Sequence, residues 1–147
     1  MDTQYMIDTH FIVAQDAPLM RTPQPVVVHE PGRIIDTQHG FIRGWGVTAS
    51  TSGAQNISMA AGVLPAGVRA TAHYHPFETA LYILAGTVRV FWGASWADDY
   101  VDVEAGDFIY IPAWVIHSPM NLGSTPMEYV VARNAPEEVA FTVERAA

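Results

Sequence analysis

Residues 67–86 read GVRATAHYHPFETALYILAG, and the way this stretch divides decides what the chain folds into. VRATAHYH (68–75) and TALYIL (79–84) are short runs rich in aliphatic, aromatic and β-branched residues. Pro76 parts them and Gly67 and Gly86 bracket them, which is the punctuation of strands rather than of a helix. A strand sends alternate side chains to one face, so His73 and His75 point together and their rings can reach one ion. By itself an HxH pair is a weak sign, because exposed strand histidines need no function.

The pattern continues in both directions. VVVHE (26–30), FIRGWGVTA (41–49) and ISMAAGVL (57–64) precede the pair, each ending at a turn signal: PGR, STSG and PAG. TVRVFWG (87–93), YVDVEAG (100–106), DFIYIP (107–112), WVIHSPM (114–120), MEYVVAR (127–133) and VAFTVE (139–144) follow. Arginine between valines in VRVFW, and acids alternating with valines in YVDVE, show the period of two expected of strands with one wet face. No stretch of similar length carries a helical stripe. About eleven short strands with Gly and Pro turns imply one all-β domain, a sandwich or barrel. Residues 1–23 are expected to form an N-terminal arm on a barrel spanning 24–147.

Composition removes whole classes of chemistry. The 147-residue chain has no cysteine, so disulfides, thiolate metal sites and cysteine nucleophiles are excluded, and a metal must be held by imidazole, carboxylate or water. All seven basic residues are arginines, which excludes a Schiff-base lysine. A net charge of −8 with scattered arginines argues against nucleic-acid and anionic-membrane partners. The acidic start MDTQYMIDTHF lacks the basic and apolar regions of a secretory signal, and no apolar run has membrane-spanning length. A soluble, cytoplasmic protein is expected.

Gly67, His73, His75 and Gly86, followed by Gly106, Pro112, His117 and Asn121, resemble the two signature motifs of the cupin family, G-x5-H-x-H-x(3,4)-E-x6-G and G-x5-P-x-G-x2-H-x3-N. The resemblance covers residues 67–121 and implies a single double-stranded β-helix, or jelly-roll, barrel. It also implies that His73, His75 and His117 gather around one divalent transition metal. Three neutral imidazoles suit Fe(II), which is favoured, and equally admit Zn, Mn, Ni or Cu. A homodimer is implied as well, for which exposed barrel edges and a long arm give a physical reason.

Two departures from the motifs matter. Trp114 stands at the second glycine of the second motif, and Thr79 stands where the family has its carboxylate ligand, with Glu78 one residue early. On a regular strand that offset turns Glu78 away from a metal that Thr79 faces, whereas a bulge after Pro76 could swing it in. An inward Glu78 would be a catalytic base or a partner of a histidine N–H; an outward one would be a surface carboxylate. Thr79 would then bond a water or fill space.

Among the many aromatics near the motif, alternation turns Tyr82 and Trp92 toward the lumen, Tyr82 as a candidate to move a proton and Trp92 as a substrate contact. Counting by twos from His75 puts Arg69 on the histidine face, as an anchor for a substrate carboxylate. His10, His29 and His39 lie outside the motifs and read as surface or packing residues.

The missing carboxylate favours a dioxygenase acting on a small, partly apolar, chelating organic substrate. The alternatives are a non-redox metal-dependent isomerase, cyclase or lyase, and a ligand-binding module without turnover.

Overall fold

The computed structural model describes residues 24–93 and 99–144. The expected arm at 1–23, with His10, lies outside them. Eleven strands run through the described residues: β1 (Ile34–Gln38), β2 (Phe41–Val47), β3 (Ser58–Leu64), β4 (His73–Tyr74), β5 (Thr79–Ala85), β6 (Thr87–Trp92), β7 (Asp99–Glu104), β8 (Phe108–Ile111), β9 (His117–Met120), β10 (Met127–Arg133) and β11 (Phe141–Thr142). All pairings are antiparallel. They build a six-stranded sheet, β1-β2-β3-β10-β5-β8, and a five-stranded sheet, β11-β4-β9-β6-β7. The two form an all-β jelly-roll barrel.

Alternation fills the space between the sheets. Trp45, Leu64, Ile83, Val90, Val103, Met127 and Val131 are buried there and form one apolar cluster. Removing such side chains from water is the main stabilising term of the fold.

The first run of the sequence departs from expectation. VVVHE (26–30) forms no strand: residues 24–29 are irregular, Val26 and Val27 are exposed, and Glu30–Gly32 makes one 3-10 turn. The strand begins instead at Ile34, where the chain can pair with β2 from Ile34↔Trp45 to Gln38↔Phe41. A β-rich run with no partner strand among the described residues does not satisfy its backbone as a strand there. STSG (50–53), read as a turn, overlaps one helical turn, α1 (Ala49–Ser52), closed at its start by a reciprocal Thr48–Thr51 capping box and at its end by Gly53.

Two tight connections place the site. Gly86 joins β5 to β6 at φ 78°, and a Cβ there would meet the Pro126 carbonyl oxygen at 2.8 Å, so only glycine fits. His39 and Gly40 form the two-residue link between β1 and β2 with φ 56° and 94°, the handedness that follows the twist of a hairpin. That link turns His39 toward the barrel mouth.

Candidate metal centre

His73 on β4 and His117 on β9 are direct partners across the five-stranded sheet, and His75 lies two residues on, on the same face as His73. All three are buried, with ring centroids 4.4 Å (His73–His117), 5.0 Å (His73–His75) and 5.4 Å (His75–His117) apart.

Backbone carbonyls settle which nitrogen is free. His73 Nδ1 lies 2.6 Å from the Thr71 carbonyl, His117 Nδ1 2.9 Å from that of Val115, and His75 Nδ1 2.8 Å from that of Val139. A carbonyl only accepts, so each Nδ1 carries the proton and donates it, leaving each Nε2 with a lone pair. The ligand atoms of the three lie within 4.8 Å of one another. Small ring rotations bring such a set onto one ion bound at roughly 2.1 Å.

Burial also keeps the rings neutral. It is the first cause lowering His73 to about 2, with His117 next, and it lowers His75 to about 4 with Arg133 adding to it. His117 falls to about 4, again chiefly through burial. Three neutral imidazoles with lone pairs aimed together fit a divalent transition metal.

A charged layer stands behind the rings. Glu138 places Oε1 3.1 Å from His75 Nδ1, and its Oε2 pairs with Arg43 Nη1 at 3.0 Å and with Arg133 Nη1. Asp36 holds Arg43 through both carboxylate oxygens, each at 3.0 Å. Arg133 Nε donates to Thr79 Oγ1 at 3.3 Å, and Arg133 Nη2 lies 3.3 Å from His75 Nε2. His39 stacks flat on His73 at 4.2 Å, and its Nε2 is buried without a hydrogen-bond partner among the described residues.

The residues singled out in the sequence divide sharply. Glu78 is exposed: it accepts from the Tyr110 hydroxyl at 2.7 Å and from Asn134 Nδ2 at 2.9 Å, as a surface carboxylate does. Tyr82 faces outward against Phe108, because β5 turns Thr79 and Ile83 inward and hence Ala80, Tyr82 and Leu84 out. Arg69 is also outside, donating to Ser118 Oγ at 2.9 Å and lying over the Phe91 ring at 4.2 Å. The count by twos from His75 fails for a local reason. Ala72 and His73 are both buried, so the alternation slips by one residue where 70–72 leave the ladder.

Trp92 does reach the site. It pairs with His117 across β6 and β9, and both line a cavity of about 440 Å³ with Val90, Phe108, Tyr110 and Ile111. This cavity opens between the free edges of the two sheets, β7 and β8. A second cavity of about 430 Å³, lined by Arg89, Asp102, Glu104 and Asp107, has no histidine in its wall.

Arg133, Arg43, Glu138 and His39 were missed as site residues because each arrives from far along the chain. A signal existed for His39 in QHGF, a turn dipeptide between two β-type runs. Arg133 ends the alternating run MEYVVAR on the face of Tyr129 and Val131, where an inward charge needs partners.

A family model described as "Cupin domain" matches residues 61–133. No curated protein matches the chain. Among solved structures, a Lactobacillus farciminis oxalate decarboxylase in complex with formate superposes with a TM-score of 0.68 at 21% identity, over 78% of this chain and 35% of that one. A Bacillus subtilis oxalate decarboxylase, solved in work on its Mn(II) centres, gives a TM-score of 0.66 at 18% identity, over 78% of this chain and 31% of that one. An arginine-to-alanine mutant of the Bacillus enzyme gives 0.70 at 17% identity, over 87% and 34%. The chain thus spans about a third of the length of these proteins, and the likeness is one of fold.

Proposed function

The chain belongs to the cupin family, matched over residues 61–133, and on that premise we propose that it is a metal-dependent enzyme for a small, partly apolar organic substrate, with dioxygenation as its reaction. The carrying observation is the convergence of three histidines with backbone-fixed tautomers beside an apolar cavity. In this reading His73, His75 and His117 hold the metal, and Trp92, Val90 and Ile111 receive the apolar part of the substrate. Fe(II) would supply electrons for O2 and Lewis acidity for chelating oxygens.

What surrounds the histidines supports a reaction that needs little proton traffic. Glu78 and Tyr82, the anticipated acid–base groups, face outward, while Asp36 and Glu138 are engaged by arginines. The test is oxygen uptake by Fe(II)-loaded protein across β-diketones, thiols and phenolic compounds. Turnover that stops without O2 or with Zn(II) supports dioxygenation. Turnover that persists with Zn(II) in the absence of O2 would replace it with a lyase or isomerase, for which the unpartnered Nε2 of His39 is the available proton carrier.

A homodimer belongs to the same proposal. The outer face of the six-stranded sheet presents Ile42, Met59, Tyr82, Leu84, Phe108 and Tyr110 to solvent, an apolar surface suited to a second copy.

A further inference from the structure

The register of β5 and β10 pairs Thr79 with Arg133, and both side chains are buried on the inner face. Thr79 holds the position where the cupin motif has a carboxylate, so a neutral hydroxyl bonded to a guanidinium stands where a negative ligand would be. We propose that this site takes an anionic ligand, a small carboxylate or an acid that binds ionised, with Arg133 as the residue that positions its charged oxygen. The inference rests on the metal reading above and narrows its substrate class.

Charge balance is the first argument. Arg43 and Arg133 are matched by Asp36 and Glu138, and a histidine that donates Nδ1–H to a carbonyl and gives its Nε2 lone pair to a metal is neutral, so these side chains together carry no excess charge. A divalent cation would then add two positive charges in a buried place with no carboxylate among its ligands. An ionised ligand offsets them; a neutral one does not.

Hydrogen bonding is the second. Arg133 Nη2 now faces the lone pair of His75 Nε2 at 3.3 Å. A metal claims that lone pair and leaves a buried guanidinium N–H without an acceptor, beside the ion. Nε stays with Thr79 and Nη1 in ion-pair contact with Glu138, so Nη2 is the donor that metal binding frees for a ligand oxygen. The buried, unpartnered Nε2 of His39 on the ring of His73 adds a polar atom that a ligand can satisfy.

The experiment uses the full chain loaded with Co(II), whose visible spectrum reports its ligands, titrated with acetate and, as the neutral analogue, acetamide. Acetate is expected to change the spectrum saturably and acetamide to leave it unchanged. Arg133→Gln should take up Co(II) yet bind acetate about 10- to 100-fold more weakly, and Arg133→Lys should recover part of the loss. Thr79→Glu, which leaves Arg133 in place, should bind Co(II) and lose the acetate response, because the new carboxylate meets both the ion and Arg133. Wild-type acetate affinity in either Arg133→Gln or Thr79→Glu, or equal binding of acetamide, overturns the proposal. Failure of the wild type to bind Co(II) is a separate result, and it overturns the metal reading itself.

Discussion

Each histidine of the site is held by one hydrogen bond to a carbonyl, and that bond makes the ring both a neutral group and a directed lone pair. The cost appears at low pH. Above about pH 6.5 folded and unfolded rings are both neutral, and nothing is lost. As pH falls below that, unfolded histidines bind protons while the buried rings refuse them, down to about 4 for His75 and His117 and about 2 for His73. The folded state binds fewer protons, so stability declines as pH falls through that window. Urea denaturation of metal-free protein at pH 7.5 and at pH 5 measures this; equal midpoints would show the rings are not buried neutral.

Glu78 is resolved at the same scale. Its exposed bonds to Tyr110 and Asn134 imply that Glu78→Gln changes stability by less than about 1 kcal/mol and leaves metal uptake as in the wild type. A loss of bound metal in that variant would contradict the placement. The one-residue offset between Glu78 and Thr79 was legible in the sequence, because it needs only the period of two. The carboxylate that does touch a ligand ring, Glu138, was not, because it reaches His75 from 63 positions on, through folding of the chain after β10.

Elements explain why some sequence spacings survive and others fail. His73 and His75 kept their common face because β4 is extended where they stand, and His117 joined them through direct pairing with His73. Arg69 was lost from that face because residues 70–72 leave the ladder and shift the phase by one. Tyr82 was misplaced although the period of two, counted from an inward Thr79, already turns positions 80, 82 and 84 outward; pairing of Thr79 with Arg133 on β10 fixes that phase. Register between strands distant in sequence cannot be counted along either strand alone.

Two substitutions test these connections. Gly86→Ala places a Cβ at a positive φ and against the Pro126 carbonyl, so it should destabilise the fold by about 2 kcal/mol or more. Trp114, at the motif's glycine position, keeps a glycine-like φ of 68°, and its N–H donates to the His75 carbonyl at 2.7 Å. The turn has therefore retained its shape at the expense of about 1–2 kcal/mol of backbone strain. Trp114→Gly should release it, less about 0.5–1 kcal/mol for the greater freedom of unfolded glycine, giving a small net gain in the urea midpoint. A large loss would mean that the exposed indole carries packing energy its position does not suggest.

The molecule as a whole is a barrel with a buried charged layer beside its histidines, an apolar core, and apolar side chains on the outer face of its six-stranded sheet. Its fold class was legible from strand count, turn residues and motif glycines, which are local. The reading of VVVHE (26–30) as a strand was not sustained, since a strand needs a partner that composition does not name. If a second copy covers the apolar face, Leu84→Glu, half-exposed at 50%, should shift sedimentation from dimer toward monomer while sparing metal uptake. An unchanged wild-type monomer in the same run would contradict the dimer.

Metal stoichiometry is the decisive property of the three-histidine centre. Full-length protein purified without a polyhistidine tag should carry, by elemental mass spectrometry, about one divalent transition metal per chain after loading and dialysis, and His73→Ala and His117→Ala should carry almost none. No bound metal in the wild type, or the same content in all three proteins, would contradict it.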